Sequence, residues 1–226
     1  MANVIITGST GMIGKGVLLE CLGSDKIEKV IVINRRPLEM KHPKLKEIIL
    51  DNFLDVSEVS DQLTGFDGCF YCMGVSALGM IEADYTRITY SMTKAFADTL
   101  YNLNKDMVFN YVSGVGTDRT EKGRSMWARV KGRTENYILN KGFRDAYAFR
   151  PGVIIPEKGI RSSTGWYNTM YAITRPLFPL LKRAKRVTTT TKLGRAMINS
   201  LFQRRENKVL SPRDINEGAG YLIHDL

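Results

Sequence analysis

Short apolar runs rich in valine and isoleucine alternate along this chain with longer segments that are apolar on one side only. The short runs are typical of buried strands, and the longer segments, with apolar residues three and four positions apart, are typical of helices. Their alternation predicts an α/β fold, a Rossmann-type doubly wound parallel sheet with helices on both faces. The predicted strands cover about residues 3–7, 28–33, 46–50, 67–72, 107–112, 146–150 and 207–210, and the predicted helices about residues 12–22, 83–102, 125–141, 165–173, 189–204 and 213–222.

The length of 226 residues is enough for one sizeable hydrophobic core and short for two domains. We therefore expect residues 1–226 to form a single Rossmann domain. Residues 151–188 are less regular and rich in arginine, proline and aromatic residues. Because they follow a predicted strand, we expect them to form a small irregular lobe on the substrate side, outside the carboxyl ends of the strands.

The net charge of +10 predicts a surface that attracts anions such as nucleotide phosphates, nucleic acid or acidic lipid. Within residues 166–186, basic and aromatic side chains are interleaved, which suits a nucleic-acid or acidic-membrane surface. A run of charged residues is more often a solvated surface, so binding of nucleic acid or membrane is the alternative function. Binding that weakens steeply as the salt concentration rises would identify it. The segment contains Trp166, Tyr167, Tyr171, Arg175, Phe178, Lys182, Arg183, Lys185 and Arg186.

The chain begins without a secretory signal, because its first apolar run is far too short and no basic segment precedes it. We therefore expect a cytoplasmic protein. The apolar stretch 166–181 contains an asparagine, an arginine and two prolines, which a membrane-spanning helix does not readily accept. The chain has two histidines, His42 and His224, so no histidine-based metal site is expected.

A predicted strand leads directly into a glycine-rich turn and then into a helix, which is the dinucleotide-binding pattern. Gly8 permits the tight turn, Gly11 lets the backbone approach a pyrophosphate, and Gly14 lets the helix pack close to the sheet. Backbone N–H groups at the helix start then bind the phosphates. A glycine turn without a ligand is the minor alternative. The predicted cofactor-binding residues of the turn are Gly8, Ser9, Thr10, Gly11, Met12, Ile13 and Gly14.

The second predicted strand ends in Asn34, Arg35 and Arg36, about 20 residues after the turn. A protein selective for NAD(H) places a carboxylate there, to bind the ribose 2′-hydroxyl. This position has no carboxylate, and two guanidinium groups suit the 2′-phosphate of NADP(H). We therefore expect NADP(H) as the preferred cofactor, with NAD(H) possible; the alternative is that the arginines belong to a solvated loop.

With these motifs the chain resembles the short-chain dehydrogenase/reductase superfamily, in the atypical and extended branch that has the TGxxGxxG turn. It is similar to the small NAD(P)-binding, epimerase-like proteins that include the HIV-Tat-interacting oxidoreductase group. The resemblance continues through residues 111–114 (YVSG) at the end of the fifth strand, 131–135 (KGRTE) on the next helix and 150–153 (RPGV) after the sixth strand.

The resemblance also implies cofactor contacts outside the turn. Asp51 and Asn52 would contact adenine, residues 72–74 would border the nicotinamide ribose, and Lys131 would bind that ribose. The implied cofactor-binding residues beyond the turn are Arg35, Arg36, Asp51, Asn52, Cys72, Met73, Gly74, Lys131, Pro151 and Val153.

The catalytic set of this family is Ser, Tyr-x-x-x-Lys and often Asn, which here corresponds to Ser113, Trp127, Lys131 and Thr89. The phenol is therefore missing. An indole N–H donates a hydrogen bond but does not ionise near neutral pH, so Trp127 is a poor acid or base. Two other Tyr-x-x-x-Lys matches, at 90–94 and 137–141, are excluded by their order in the chain and by their position around the helix.

Three functions remain open. The first, which we favour because hydride transfer needs only a positioned ring and substrate, is an oxidoreductase or epimerase-like enzyme on an unknown small substrate. Its proton would come from another group, such as Tyr167, or from water. The second is a non-catalytic NADP(H)-sensing or regulatory protein. The third is the nucleic-acid or acidic-membrane binder that acts through residues 166–186.

Overall fold

Seven parallel strands form the central sheet of the computed structural model, which describes residues 1–160 and 186–220. The strands of the described chain are β1 (Ala2–Thr7), β2 (Ile27–Asn34), β3 (Leu45–Ile49), β4 (Gly68–Tyr71), β5 (Val108–Val112), β6 (Asp145–Phe149), β7 (Val153–Ile155), β8 (Val187–Thr189) and β9 (Val209–Leu210). The sheet has the order β3-β2-β1-β4-β5-β6-β9, and every neighbouring pair is parallel. The predicted doubly wound Rossmann fold is confirmed.

Helices connect most of the strands, close to the predicted positions. They are α1 (Met12–Leu22), α2 (Glu82–Thr86), α3 (Met92–Leu103), α4 (Met126–Leu139), α5 (Thr190–Asn199) and α6 (Pro212–Gly220), with a 3₁₀ helix at Ser57–Leu63. The segment predicted as one helix over 83–102 contains a π-helical turn, Arg87–Ser91, between α2 and α3. The segment predicted as a helix over 189–204 ends at Asn199, five residues early.

Two hydrophobic clusters cover the two faces of the sheet, because successive side chains of a strand point in opposite directions. In β1, Val4 and Ile6 belong to the cluster under α1 and α5, whereas Ile5 belongs to the cluster under α3 and the 3₁₀ helix. All three side chains are fully buried. The continuous apolar runs of the sequence therefore reflect strands covered on both sides.

A small second sheet is formed by residues that lie between β6 and β9 in the chain. Its two strands, β7 and β8, pair in parallel, with Val153 opposite Val187. Residues 151–188 are predicted to be less regular, and the structure adds a short strand at each end of this segment, which the sequence does not reveal because runs of three residues are too short to show a periodicity. The predicted helix 165–173 lies outside the described residues. Within the described ranges, no helix is long and apolar enough to cross a membrane.

Candidate functional site

A cleft of about 700 Å³ opens at the carboxyl ends of β1, β2 and β4. Ligands of open parallel sheets bind at this edge, beside the point where the strand order reverses. The glycine turn, the two arginines and the loop after β4, which are far apart in sequence, meet here. The described lining consists of Gly8, Thr10, Gly11, Ile33, Asn34, Arg35, Arg36, Phe53, Cys72, Met73, Gly74, Val75 and Ser76.

The glycine turn fits against the sheet without room for side chains. Gly8 has a φ of +70°, which other residues rarely adopt, and a Cβ on Gly14 would lie 2.2 Å from the Gly8 carbonyl oxygen. The side chains of Met12 and Ile13 pack against the hydrophobic cluster under α1, and neither residue is part of the described lining of the cleft. No side chain caps the start of α1. Its first N–H groups therefore remain open to an anion in the cleft.

Gly11 differs from its two neighbours in the motif. Its φ is −85° and its ψ is 163°, an extended conformation that any residue adopts. A Cβ on Gly11 would have one close neighbour outside the adjoining residues, the Gly8 carbonyl oxygen at 3.3 Å. A side chain at this position would therefore occupy the cleft rather than displace the fold.

A chain of hydrogen bonds joins the turn to the ends of β2 and β3. Ser9 Oγ donates to Asn34 Oδ1 (2.8 Å), and Asn34 Nδ2 donates to Glu47 Oε1 (2.9 Å). The same Glu47 oxygen accepts from the backbone N–H of Leu38 (2.8 Å), which holds the loop after β2. Sequence reasoning missed Glu47, because its partners lie 9 and 13 residues earlier and its strand reads as an ordinary one.

Arg35 and Arg36 are exposed and line the cleft directly after Asn34. No carboxylate is among the described lining residues of the cleft. The end of β2 therefore presents positive charge to a ligand, and Asn34 itself is engaged by Ser9 and Glu47.

The adenine end of the cleft differs in detail from the expectation. Phe53 lines the cleft, whereas Asp51 and Asn52 are exposed beside it and are not part of the described lining. Pro151 and Val153 are likewise outside this lining; Pro151 is buried and Val153 is 56% exposed. The roles of Asp51, Asn52, Pro151 and Val153 in cofactor binding stay predictions.

A second cavity, of about 480 Å³, adjoins the first. Val75 and Ser76 line both cavities, so the two cavities lie next to each other on either side of these residues or along them. The walls of the second cavity are mostly apolar, and Lys131 is the charged residue of its described lining. The full described lining is Val75, Ser76, Ala77, Leu78, Tyr85, Met126, Trp127 and Lys131.

Lys131 is held at the base of this second cavity. Its Nζ donates a 2.7 Å hydrogen bond to the backbone carbonyl oxygen of Ser113, at the end of β5. Burial lowers the pKa of Lys131 from 10.5 to about 8, and the nearby Glu135 carboxylate opposes this shift only in part. At pH 7 about one tenth of the Lys131 amine is therefore neutral, and the rest carries a positive charge.

We expect an amine-reactive reagent to label Lys131 with a pH midpoint of about 8, since only the neutral amine reacts. Lys94 is the internal comparison, because pairing with Asp98 raises its pKa, and it should label only at higher pH. Peptide mass spectrometry over a pH series measures both midpoints. A Lys131 midpoint as high as that of Lys94 would contradict the desolvation of Lys131.

The backbone of Ser113 contacts Lys131, but the side chain of Ser113 hydrogen-bonds to other residues. Its Oγ donates to Glu135 Oε1 (2.5 Å), and the fully buried Glu135 pairs with Arg150 through Nε (2.9 Å) and Nη2 (2.5 Å). The structure therefore places the Ser113 hydroxyl in a buried ion pair below the cavity. The group that faces Lys131 is the carbonyl of Ser113, not its hydroxyl.

Trp127 and Thr89 lie on two helices beside the second cavity. Trp127 lines it and is 36% exposed, with its ring over Gly116, where a Cβ would lie 3.2 Å from the indole. Thr89 lies in the π-helical turn, and its buried Oγ1 has no hydrogen-bond partner. A π turn is uncommon in proteins and is often found at functional sites.

Most of the remaining predicted groups belong to a part of the chain that the structure does not describe. Tyr167, and the basic and aromatic segment 166–186 apart from Arg186, lie outside the described residues. Within residues 1–160 and 186–220, no group of three or more histidine, cysteine, aspartate or glutamate side chains is arranged to hold a metal ion.

Comparison with known sequences finds several similar proteins. No family model matches the chain. The chain is similar to the rat protein HTATIP2, with 28% identity over 164 residues, which cover 69% of this chain and 64% of the rat protein. It is also similar to the mitochondrial protein fmp52 of Aspergillus niger, with 27% identity over 168 residues, which cover 70% of this chain and 69% of that protein.

Solved structures share the fold at low identity. A UDP-N-acetylglucosamine 4-epimerase from Methanobrevibacter ruminantium M1 superposes with a TM-score of 0.65 at 15% identity, over 92% of this chain and 75% of that chain. A short chain dehydrogenase from Burkholderia cenocepacia J2315, solved with NADP, gives 0.63 at 14% identity over 96% and 92%. The enzyme WbmH of Bordetella bronchiseptica, solved with NAD+, gives 0.66 at 15% identity over 93% and 74%. The fold alone therefore does not choose between the two cofactors.

The relatives correct the expected location. The fmp52 proteins of Aspergillus niger, Emericella nidulans and Debaryomyces hansenii are named mitochondrial. This finding overturns the prediction of a cytoplasmic protein, which rested on a missing secretory signal. Such a signal distinguishes secreted proteins from others and does not separate the cytosol from an organelle.

Proposed function

We propose that the chain is an NADP(H)-dependent oxidoreductase or epimerase-like enzyme of the atypical short-chain dehydrogenase/reductase group, acting on a small substrate. One observation carries the proposal. The cleft of the glycine turn and the two arginines adjoins the cavity that holds Lys131 and Trp127, and Val75 and Ser76 line both. A dinucleotide in the first would therefore present its reactive end to a substrate in the second.

The residues of the cleft fit the parts of NADP(H) in order. The open N–H groups of α1 and the bare backbone at Gly11 suit the pyrophosphate. Arg35 and Arg36 suit the 2′-phosphate, and Phe53 suits the adenine ring. The loop at 72–76 leads to the second cavity, where Lys131 would hold the nicotinamide ribose.

A bound dinucleotide supplies hydride chemistry, and the chain supplies orientation and exclusion of water. The apolar walls formed by Leu78, Met126 and Trp127 favour an uncharged substrate. The indole N–H of Trp127 is a hydrogen-bond donor that does not exchange its proton near neutral pH. The proton of the reaction therefore needs another source.

The proposed cofactor preference predicts that NADPH raises the melting temperature more than NADH does at equal concentration, by mass action on the folded state. Arg35→Ala combined with Arg36→Ala should narrow this difference, because it removes the charge that faces the 2′-phosphate. Thermal unfolding of both proteins with each cofactor measures the effect.

The matched control removes two arginines outside the cleft, Arg204→Ala with Arg213→Ala, whose side chains are 78% and 69% exposed and pair with carboxylates elsewhere. It changes the net charge equally and should keep the full difference between NADPH and NADH. Equal stabilisation of the parent protein by both cofactors would refute the NADP preference. Stabilisation by neither would refute dinucleotide binding.

A further inference from the structure

The proton source missing from this site is a specific phenol of the second cavity. Resting on the proposed oxidoreductase function, we propose that Tyr85 donates the proton to the substrate oxygen, in place of the phenol that Trp127 lacks. Tyr85 lies in α2, which packs on α4, the helix of Trp127 and Lys131, and all three side chains line the cavity. Tyr85 is the only tyrosine of the described lining.

The other described tyrosines near these helices have different surroundings. Tyr71 and Tyr111 are buried in the sheet core, and Tyr137 stacks edge-on against Tyr90 while its hydroxyl contacts Asp98. The Tyr-x-x-x-Lys matches at 90–94 and 137–141 thus belong to a polar cluster on α3 and α4. Tyr85 reaches the cavity from a helix that the sequence motif does not include.

The local backbone around Tyr85 supports this assignment. The helix widens into the π turn Arg87–Ser91 two residues after Tyr85, and Thr89 lies in that turn. The Thr89 hydroxyl makes no hydrogen bond with normal distance and angles. It is nevertheless close enough to the Tyr85 phenol to lower the pKa of Tyr85, although burial raises that pKa by more. A buried hydroxyl with spare hydrogen-bonding capacity is therefore positioned beside the phenol.

The reaction balances with the reduced dinucleotide as its co-reactant. A carbonyl substrate gains a hydride at carbon from the reduced nicotinamide, which is oxidised, and gains a proton at oxygen from the Tyr85 hydroxyl. The resulting phenolate takes a proton from water. Burial raises the pKa of Tyr85, so the phenol is protonated at neutral pH, and the positive charge that Lys131 contributes to the cavity favours the phenolate that forms when the proton is transferred.

The test compares the parent protein with Tyr85→Phe, and Tyr90→Phe is the control on the outward-facing aromatic pair. The probes are uncharged aromatic and branched aliphatic aldehydes, chosen because the walls are apolar. Tyr85→Phe should reduce NADPH-dependent turnover by about 10²–10⁴-fold, with unchanged NADPH affinity and melting temperature. Tyr90→Phe should change none of these. Trp127→Tyr in the Tyr85→Phe background should restore part of the turnover, by returning a phenol next to Lys131.

A binding measurement tests the same hydrogen bond without turnover. Benzamide presents an unreactive carbonyl oxygen to the NADPH-bound protein, and ethylbenzene is the apolar match. Tyr85→Phe should weaken benzamide binding by about tenfold, the loss expected for one hydrogen bond, and should leave ethylbenzene binding unchanged. The titration also shows whether the Tyr85 hydroxyl reaches the cavity.

The outcomes separate the two proposals. If the parent reduces an aldehyde and Tyr85→Phe keeps the full rate, the proton-donor assignment is wrong and the oxidoreductase function stands. If the parent binds NADPH but reduces no probe, and the phenylalanine variant binds benzamide as well as the parent does, both proposals are overturned. A selective loss of benzamide binding without any turnover would support the position of Tyr85 and refute the reductase function.

Discussion

Replacing Arg150 with methionine is expected to lower the free energy of unfolding by about 3–5 kcal/mol. Arg150 holds Glu135 through two hydrogen bonds, and Glu135 is fully buried. Without the guanidinium, the carboxylate keeps only the Ser113 hydroxyl among these partners. A buried charge that loses its counter-ion is among the largest single losses that a folded protein sustains.

Chemical denaturation followed by circular dichroism measures this loss. The control is Arg213→Met, which breaks an exposed i,i+4 pair with Glu217 and should cost no more than about 0.5 kcal/mol. Adding Glu135→Leu to Arg150→Met should recover part of the stability, because no unpaired charge remains. A similar small loss for Arg150→Met and Arg213→Met would show that Glu135 does not depend on this ion pair.

The sheet could be predicted in detail because its information is local. Val4, Ile5 and Ile6 read as a continuous apolar run, and such a run requires cover on both faces of a strand. The alternation of runs and amphipathic segments then allows few topologies. β7 and β8 were missed because three residues carry no usable period, and the π turn at Arg87–Ser91 was missed because one inserted residue barely alters the helical pattern.

Some residues of the candidate site are positioned by the strand that directly precedes them, and others by contacts with residues far away in the sequence. The glycine turn and the pair Arg35 and Arg36 face the cleft because they directly follow the ends of β1 and β2. The Ser113 hydroxyl, in contrast, turns toward Glu135 and Arg150, which come from α4 and from the end of β6. Such partners lie 22 and 37 positions away, so spacing along the chain locates a residue without showing which neighbour its side chain selects.

Tyr85 is a second residue whose place in the site cannot be found from spacing along the chain. The family pattern directs attention to the position of Trp127, where the phenol is absent. The phenol that lines the same cavity comes from α2, more than 40 residues earlier. Only the packing of α2 on α4 brings it there.

Gly11→Val is expected to abolish NADPH binding while leaving the fold intact. The extended backbone at Gly11 accepts valine, and a Cβ would meet the Gly8 carbonyl oxygen at 3.3 Å, a contact that a small shift relieves. The added side chain then occupies the place of the pyrophosphate. Valine is a poor first residue for a helix, so a loss of about 1 kcal/mol is expected. At 100 times the dissociation constant, NADPH should stabilise the parent by about 2.7 kcal/mol and the variant not at all.

Two further glycine variants, one within α1 and one directly after it, serve as comparisons for Gly11→Val. Gly14→Ala places a Cβ 2.2 Å from the Gly8 carbonyl oxygen, so it should destabilise the protein even without cofactor. Gly23→Ala, at the far end of the helix, places a Cβ 3.5 Å from the Leu19 carbonyl oxygen, an ordinary contact, and should change neither stability nor binding. Melting curves of the three variants with and without NADPH distinguish these cases. If Gly11→Val binds NADPH as tightly as Gly23→Ala does, the pyrophosphate does not lie against this turn, and the placement of the whole cofactor in the cleft is wrong.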